Sequence, residues 1–414
     1  MMEQEVVFGD NLVKTKGGGE MNRSFRCFLM AAFVVAVAGS GLAWAGEVKP
    51  ILVGTSVSLS GSYAASALYS LEGYKLWVEQ VNKRGGLLGR PVKLIYYDDK
   101  SDANTGVQLY EKLITADNVD LIVGPYSSGV TSAVSTVAEK HKMAMLGPEA
   151  ADVKIYSRGY KYNFQAQTQA GKYMLGGLVL AKANGYKTLA MLAEDTAFPK
   201  AVSEEVAKIA GSYGLAVVFN ETYPKGASDF SALLTKVKQL KPDVIFANSY
   251  LPDSQGIIRQ AREQDVNAKL FAVAVGAVEP EFGNLGNTAE YVFGATQWAA
   301  NMKTKGNAEF VQAYKQLFGR DPEYHSASNF AAMEVLEAAV KKAGSLDQDK
   351  IAAAIATLEL DTVYGKFKLD ERGVQLGYVS ALLQWQRGKQ VVVWPEEAAQ
   401  GKAMLPTPPW SERK

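Results

Sequence analysis

From Ile51 onward the chain alternates apolar, β-branched runs with longer amphipathic stretches, and few folds accept that alternation. The run ILVGTSV at Ile51–Val57 ends in a Ser/Gly turn, and a helical pattern over residues 68–83 follows, with Leu71, Leu76, Val78 and Val81 apolar. The segment RGGLLGR stops it, and Pro91 opens the strand PVKLIYY. The spacing then predicts helices at 104–116 and 128–140 and strands at 120–123 and 143–146. The rhythm restarts after Asn163: helices at 170–184, 200–211, 230–240 and 253–263 interleave with strands at 188–193, 215–219, 243–247 and 269–273. Strands separated by helices make βαβ units, and right-handed crossovers place helices on both faces of parallel sheets. Two such series predict an α/β protein of two similar lobes. A strand-like stretch at 291–296 leads to helices at 307–318 and 324–343. The short strands VYGKFKLD, YVSALLQWQ and QVVVW come last, with Arg387-Gly388 as a hairpin turn between the final two. The proline-rich tail at 406–410 reads as extended.

Composition removes several function classes. The 414 residues suffice for two cores of ordinary size. With 44 Lys+Arg against 43 Asp+Glu, the net charge of +1 carries no basic footprint for nucleic acid. One cysteine and two histidines leave no ligand set for zinc, haem or an iron–sulfur cluster, and no disulfide can form within the chain. No metal or cofactor is expected. No GxGxxG loop follows a strand, and neither a Walker A loop nor a GxSxG elbow is present. His141 reads as a solvated helix-end residue, His325 as helix-start packing, and Asp98-Asp99 as capping or ion-pairing groups. Nothing supports a nucleophile–histidine pair, so the expectation is a binding protein and not an enzyme.

The N-terminus reads as an address. In MNRSFRCFLMAAFVVAVAGSGLAWA, residues 21–45, Arg23 and Arg26 precede an apolar core, and Ala43-Trp44-Ala45 has the pattern signal peptidase cuts. Cleavage is expected after Ala45, with residues 1–20 a mis-assigned N-terminal extension. The mature chain would be exported, to the periplasm or outside.

In open parallel sheets ligands collect beyond the carboxyl ends of the strands. The most informative such loop is Gly124-Pro125-Tyr126-Ser127-Ser128-Gly129, which follows LIV and opens a helix. Free backbone N–H groups and the helix dipole there form an anion site; the plainer alternative is that Ser127 or Ser128 caps the helix. Other strand-end loops are 58–64 and 147–151 in the first series, and 194–199, 248–253 and 274–278 in the second, with Phe198 and Tyr250 aromatic.

Three stretches carry a resemblance: VGTSVSLSGSYA, EGYKLWVEQVNKRGGLLGRPVKLIYYDDKSD and DLIVGPYSSGVTSAVSTVAEKHKMAMLGP; FSALLTKVKQLKPDVIFANSY and RQAREQDVNAKLF extend it. Together they resemble solute-binding proteins of the branched-chain amino-acid (leucine/isoleucine/valine) ABC transporter family, over essentially the whole mature chain. The resemblance implies a type I periplasmic binding fold: two Rossmann-like lobes, three crossover strands, and a ligand held in the cleft between them. Lobe one would be 46–165 plus 299–377, and lobe two 166–298 plus 378–414. It also implies that Tyr126, Ser127 and Ser128 hold a ligand carboxylate, that Glu149 and Ala150 on the next loop contact the ligand, and that Phe198 and Tyr250 pack on it. The family's acid for an α-ammonium falls at about Ala274, which cannot serve.

Two ligands are therefore compatible with the sequence. Glu149 takes the ammonium of an apolar amino acid, or the ligand is an aromatic or aliphatic carboxylate without an amino group, stacked among Tyr63, Phe198 and Tyr250. The implied mechanism is hinge closure on a small carboxylate, and the implied partner a membrane permease of an ABC transporter. A ligand sensor for a membrane receptor is the rival role. We expect a monomer.

Overall fold

The computed structural model describes residues 48–413. The predicted signal peptide and the extension before it lie outside them. In chain order the first elements are β1 (Ile51–Val57), α1 (Ala64–Lys83), β2 (Val92–Asp98), α2 (Ala103–Thr115), β3 (Leu121–Val123), α3 (Ser128–Lys140), β4 (Met145–Gly147) and β5 (Asn163–Gln165). Next come α4 (Leu175–Ala183), β6 (Thr188–Glu194), α5 (Ala197–Ile209), β7 (Ala216–Tyr223), α6 (Ser231–Leu240), β8 (Val244–Asn248), α7 (Leu251–Glu263), β9 (Leu270–Val273) and β10 (Phe293–Thr296). The last are α8 (Asn307–Phe318), α9 (Tyr324–Ala343), α10 (Gln348–Ala356), β11 (Leu360–Thr362), β12 (Gly365–Phe367), β13 (Ala381–Gln386) and β14 (Lys389–Trp394).

Two sheets organise these elements. The first is parallel throughout, in the order β2-β1-β3-β4-β5. The second runs β14-β13-β10-β9-β8-β6-β7, parallel except where β13 pairs antiparallel with β10 and β14. Strands β8 and β9 are buried at every position, as expected of parallel strands covered on both faces. The chain passes between the sheets after β5, after β10 and before β13. This is the two-lobed α/β fold expected from the alternation.

Some local readings are refined. The helix expected at 170–184 is a short 3₁₀ turn followed by α4. Its Gly176 and Gly177 lie against Trp394 and Phe246, where a Cβ would come within 2.7 and 2.8 Å of the rings. Arg387 and Gly388 both have positive φ, 54° and 71°, the pattern of a type I′ hairpin. The tail closes with a 3₁₀ turn at Trp410–Glu412, so Trp410 is not extended as expected. Asp98 and Asp99 neither cap a helix nor pair with a cation. Asp99 accepts from Ser56 (2.7 Å) and Ser58 (2.6 Å), and Asp98 accepts from the backbone of Leu59 and Ser60. These bonds staple the loop after β1 that carries Tyr63.

Candidate functional site

The carboxyl ends of the two sheets face each other, and the predicted aromatic residues meet there. Tyr63 stands at the N-terminus of α1, Tyr126 after β3, Phe198 in the first turn of α5, and Tyr250 at the N-terminus of α7. Tyr63 packs on Tyr126 with centroids 5.4 Å apart and, across the lobe boundary, on Tyr250 at 4.7 Å. Tyr250 continues to Phe198 at 5.8 Å, and Phe198 to Tyr173 at 4.9 Å. All are buried. Five buried rings, four of them carrying a hydroxyl, suit a ligand that has an apolar body and polar ends.

The serine loop follows the capping alternative. Ser127 adopts φ 76° and its Oγ accepts from the Val130 amide at 3.2 Å, so it caps α3. Ser128 Oγ accepts from the amides of Ala151 (3.1 Å) and Asp152 (3.3 Å), tying this loop to the one after β4. The first amides of α3 have no partner within the helix and point with its positive end toward the cleft. Ala150 is fully buried, its carbonyl accepting from Gln165 and Tyr156.

Carboxylates dominate the polar part. Glu149 Oε2 meets His325 Nδ1 at 2.8 Å, and its Oε1 accepts from Asn329 and, at 3.4 Å, from Ser70. Burial drives the Glu149 carboxyl well above the usual range and the His325 imidazole below its own. Glu279, from the segment after β9, reaches the opposite lobe: Ser66 on α1 donates to its Oε1 at 2.5 Å, while Oε2 has no partner. Burial holds the Glu279 carboxyl at about 7. Glu194, at the end of β6, and Asp253, at the start of α7, form a second buried acid pair near Tyr63; burial first and the neighbouring Asp253 after it lift Glu194 to about 8, and burial raises Asp253. Among the described residues, Glu149 has only His325 as a basic partner within salt-bridge distance, and Glu279 has none. No group of these residues could hold a metal ion.

Ala274 is in the sheet, bonded to Ala247 and Ala295, as a methyl-bearing position should be. Five residues later Glu279 places a carboxyl against the opposite lobe. The strand-end loop expected at 274–278 ends one residue short of Glu279. His325 packs at the start of α9 as expected, its buried ring edge-on to Tyr126 at 5.1 Å in the wall of the site. Glu194 and Asp253 were within the strand-end loops already marked, but nothing in a linear sequence pairs them.

The "Periplasmic binding protein" family model matches residues 50–390. The chain belongs to the periplasmic binding protein family. Members are exported solute-binding proteins and not enzymes, and the resemblance here is to the branched-chain amino-acid ABC transporter type. Leu/Ile/Val-binding protein homolog 1 of Brucella abortus is 28% identical over 371 residues, covering 87% of this chain and 96% of its own. The branched-chain amino-acid substrate-binding protein of Streptococcus pneumoniae, solved with isoleucine, superposes with a TM-score of 0.76 at 23% identity, covering 84% of this chain and 100% of that one. A Rhodopseudomonas palustris (R. palustris) solute-binding protein solved with benzoate gives 0.74 at 20% identity, covering 86% and 100%. Among the described residues of this periplasmic binding protein, no helix is long and apolar enough to cross a membrane.

Proposed function

We propose that this protein is the exported substrate-binding subunit of an ABC importer and captures an amino acid between its lobes. The observation that carries this reading is the Ser66–Glu279 contact: a buried carboxyl from one lobe seated on the other, with one oxygen unpartnered. A ligand ammonium there would satisfy Glu279 and join the lobes, while the N-terminus of α3 with Tyr126, Ser127 and Ser128 would take the carboxylate. Tyr63, Phe198 and Tyr250 would cover the apolar body, with Glu149 and Ala150 shaping the floor. Contacts from both lobes favour the closed state, so binding and hinge closure are one equilibrium. We propose lobes of 46–165 plus 299–377 and 166–298 plus 378–414, a signal peptide cut after Ala45, action as a monomer, and delivery to a membrane permease.

The second reading, a carboxylate without an amino group, is favoured by the aromatic cluster and by the benzoate-bound neighbour. It leaves Glu279 Oε2 without a partner, which costs about 1–3 kcal/mol for a buried group. Dialysed protein in a thermal-shift panel separates the two. L-leucine and related amino acids should raise the melting temperature, by about 3–4 kcal/mol of stabilisation at a few hundred times Kd. Stabilisation by 4-methyl-2-oxopentanoate or benzoate alone would establish the second reading.

A further inference from the structure

Beside the cleft, at the start of α9, lies a half-open cavity of about 170 Å³, walled by Val278, Thr296, Trp298, Tyr324 and Leu383 and containing Glu323. Two of its lining residues neighbour residues of the proposed amino-acid site. Val278 precedes Glu279, and the Tyr324 ring lies 3.8 Å from that of His325. Glu323 is the only charged residue in the lining. Its Oε1 accepts from the Ser326 amide at 3.1 Å, closing a capping box on α9, but its Oε2 is buried without a partner. A helix cap needs one oxygen only, and Asp, Ser or Thr would serve as well. A buried, unpaired carboxyl oxygen beside a cavity is therefore unexplained by the fold. His325 Nε2 and Asn329 Oδ1, further along the same helix, are unpartnered as well.

We propose that this cavity is a subsite for the end of the ligand's side chain and takes a cationic nitrogen, which Glu323 receives. The inference rests on the amino-acid reading above and narrows it to amino acids with a second amino group. The lining holds no lysine or arginine to oppose such a charge. Burial, then Glu279 and Glu149 from the adjoining wall, raise the Glu323 carboxyl, and His325 opposes them. Burial holds the Glu323 carboxyl at about 8, so a cation arriving there displaces a proton. Tyr324 and Trp298 offer apolar surface for the methylene stem, whose charged end then sits at the acid.

The test is calorimetric titration of dialysed protein with L-lysine, L-ornithine, L-leucine and L-norleucine. Lysine or ornithine should bind more tightly than norleucine, which has a similar stem and no nitrogen. Glu323→Gln keeps the cap acceptor and removes the charge; it should weaken lysine or ornithine about tenfold or more and leave norleucine within about twofold. Glu323→Asp keeps both cap and charge but withdraws the carboxyl from the cavity, and should give the same selective loss if the Gln variant is unstable. Norleucine and leucine binding as tightly as the diamino acids, or an unchanged ratio in both variants, overturns the proposal. Failure of all four compounds would remove the amino-acid reading itself, and this proposal with it.

Discussion

Ser66 on α1 and Glu279 beyond β9 belong to opposite lobes, and their side chains meet at 2.5 Å in a fully buried setting. Glu279→Gln keeps the shape and removes the charge. It should weaken L-leucine by about tenfold to a hundredfold, the range of a charge-assisted hydrogen bond. The ligand-free variant should melt no lower than wild type, because an unpaired buried acid destabilises the protein. Titration calorimetry and a melting curve read the two effects, which have opposite signs; a variant that melts lower and binds normally contradicts the assignment.

Stability should depend on pH through the same group. Glu279 is held at about 7 against an ordinary 4.5, by burial first and by Glu281 and Glu149 after it, with His325 and Ser66 opposing. The folded state thus binds the proton more tightly than the unfolded one. Its contribution is full below about 4.5 and is lost as pH rises through 7, on the order of 3 kcal/mol in all. His325 is held below 6.5 and acts in the opposite sense as pH falls. The difference between wild type and Glu279→Gln isolates the acid. Denaturant melts from pH 5 to 8 should show wild type losing stability relative to the variant.

Lys154, before β5, and Glu204, on α5, form a salt bridge of 2.6 Å between the lobes, away from the aromatic cluster. Both side chains are substantially exposed, so the effect is modest. Lys154→Glu or Glu204→Lys alone should weaken ligand binding by no more than about fivefold, by favouring the open state. The double exchange should restore affinity at low salt. Binding in 0.05 and 0.5 M salt distinguishes this from a loss of fold.

Gly73 on α1 faces the first turn of α9, and a Cβ there would sit 2.3 Å from the Ser326 carbonyl oxygen. That oxygen is backbone and cannot step aside. Gly73→Ala must push back the turn that carries Glu323 and His325. A melting temperature lowered by several degrees, about 1–3 kcal/mol, should accompany weakened binding. Ligand titration of the variant at low temperature reads the second effect apart from the first.

Much of this protein is local chemistry. The β-branched runs, the glycine turns and the amphipathic stretches specify strand or helix within a few residues, and their alternation already required parallel sheets in two series. Tyr63, Tyr126, Phe198 and Tyr250 could be marked because a strand's carboxyl end is identifiable from the strand itself. Glu279 and His325 could not, and Glu194 and Asp253 could not be paired, because what distinguishes them is burial beside groups far away in the chain. A glutamate after a strand is ordinary until a serine from the other lobe covers one oxygen and nothing covers the second. Local sequence determined which segments form and where their ends lie; only the folding of two lobes against each other decided which acids lose their water, and loss of water is what makes a carboxyl select a ligand.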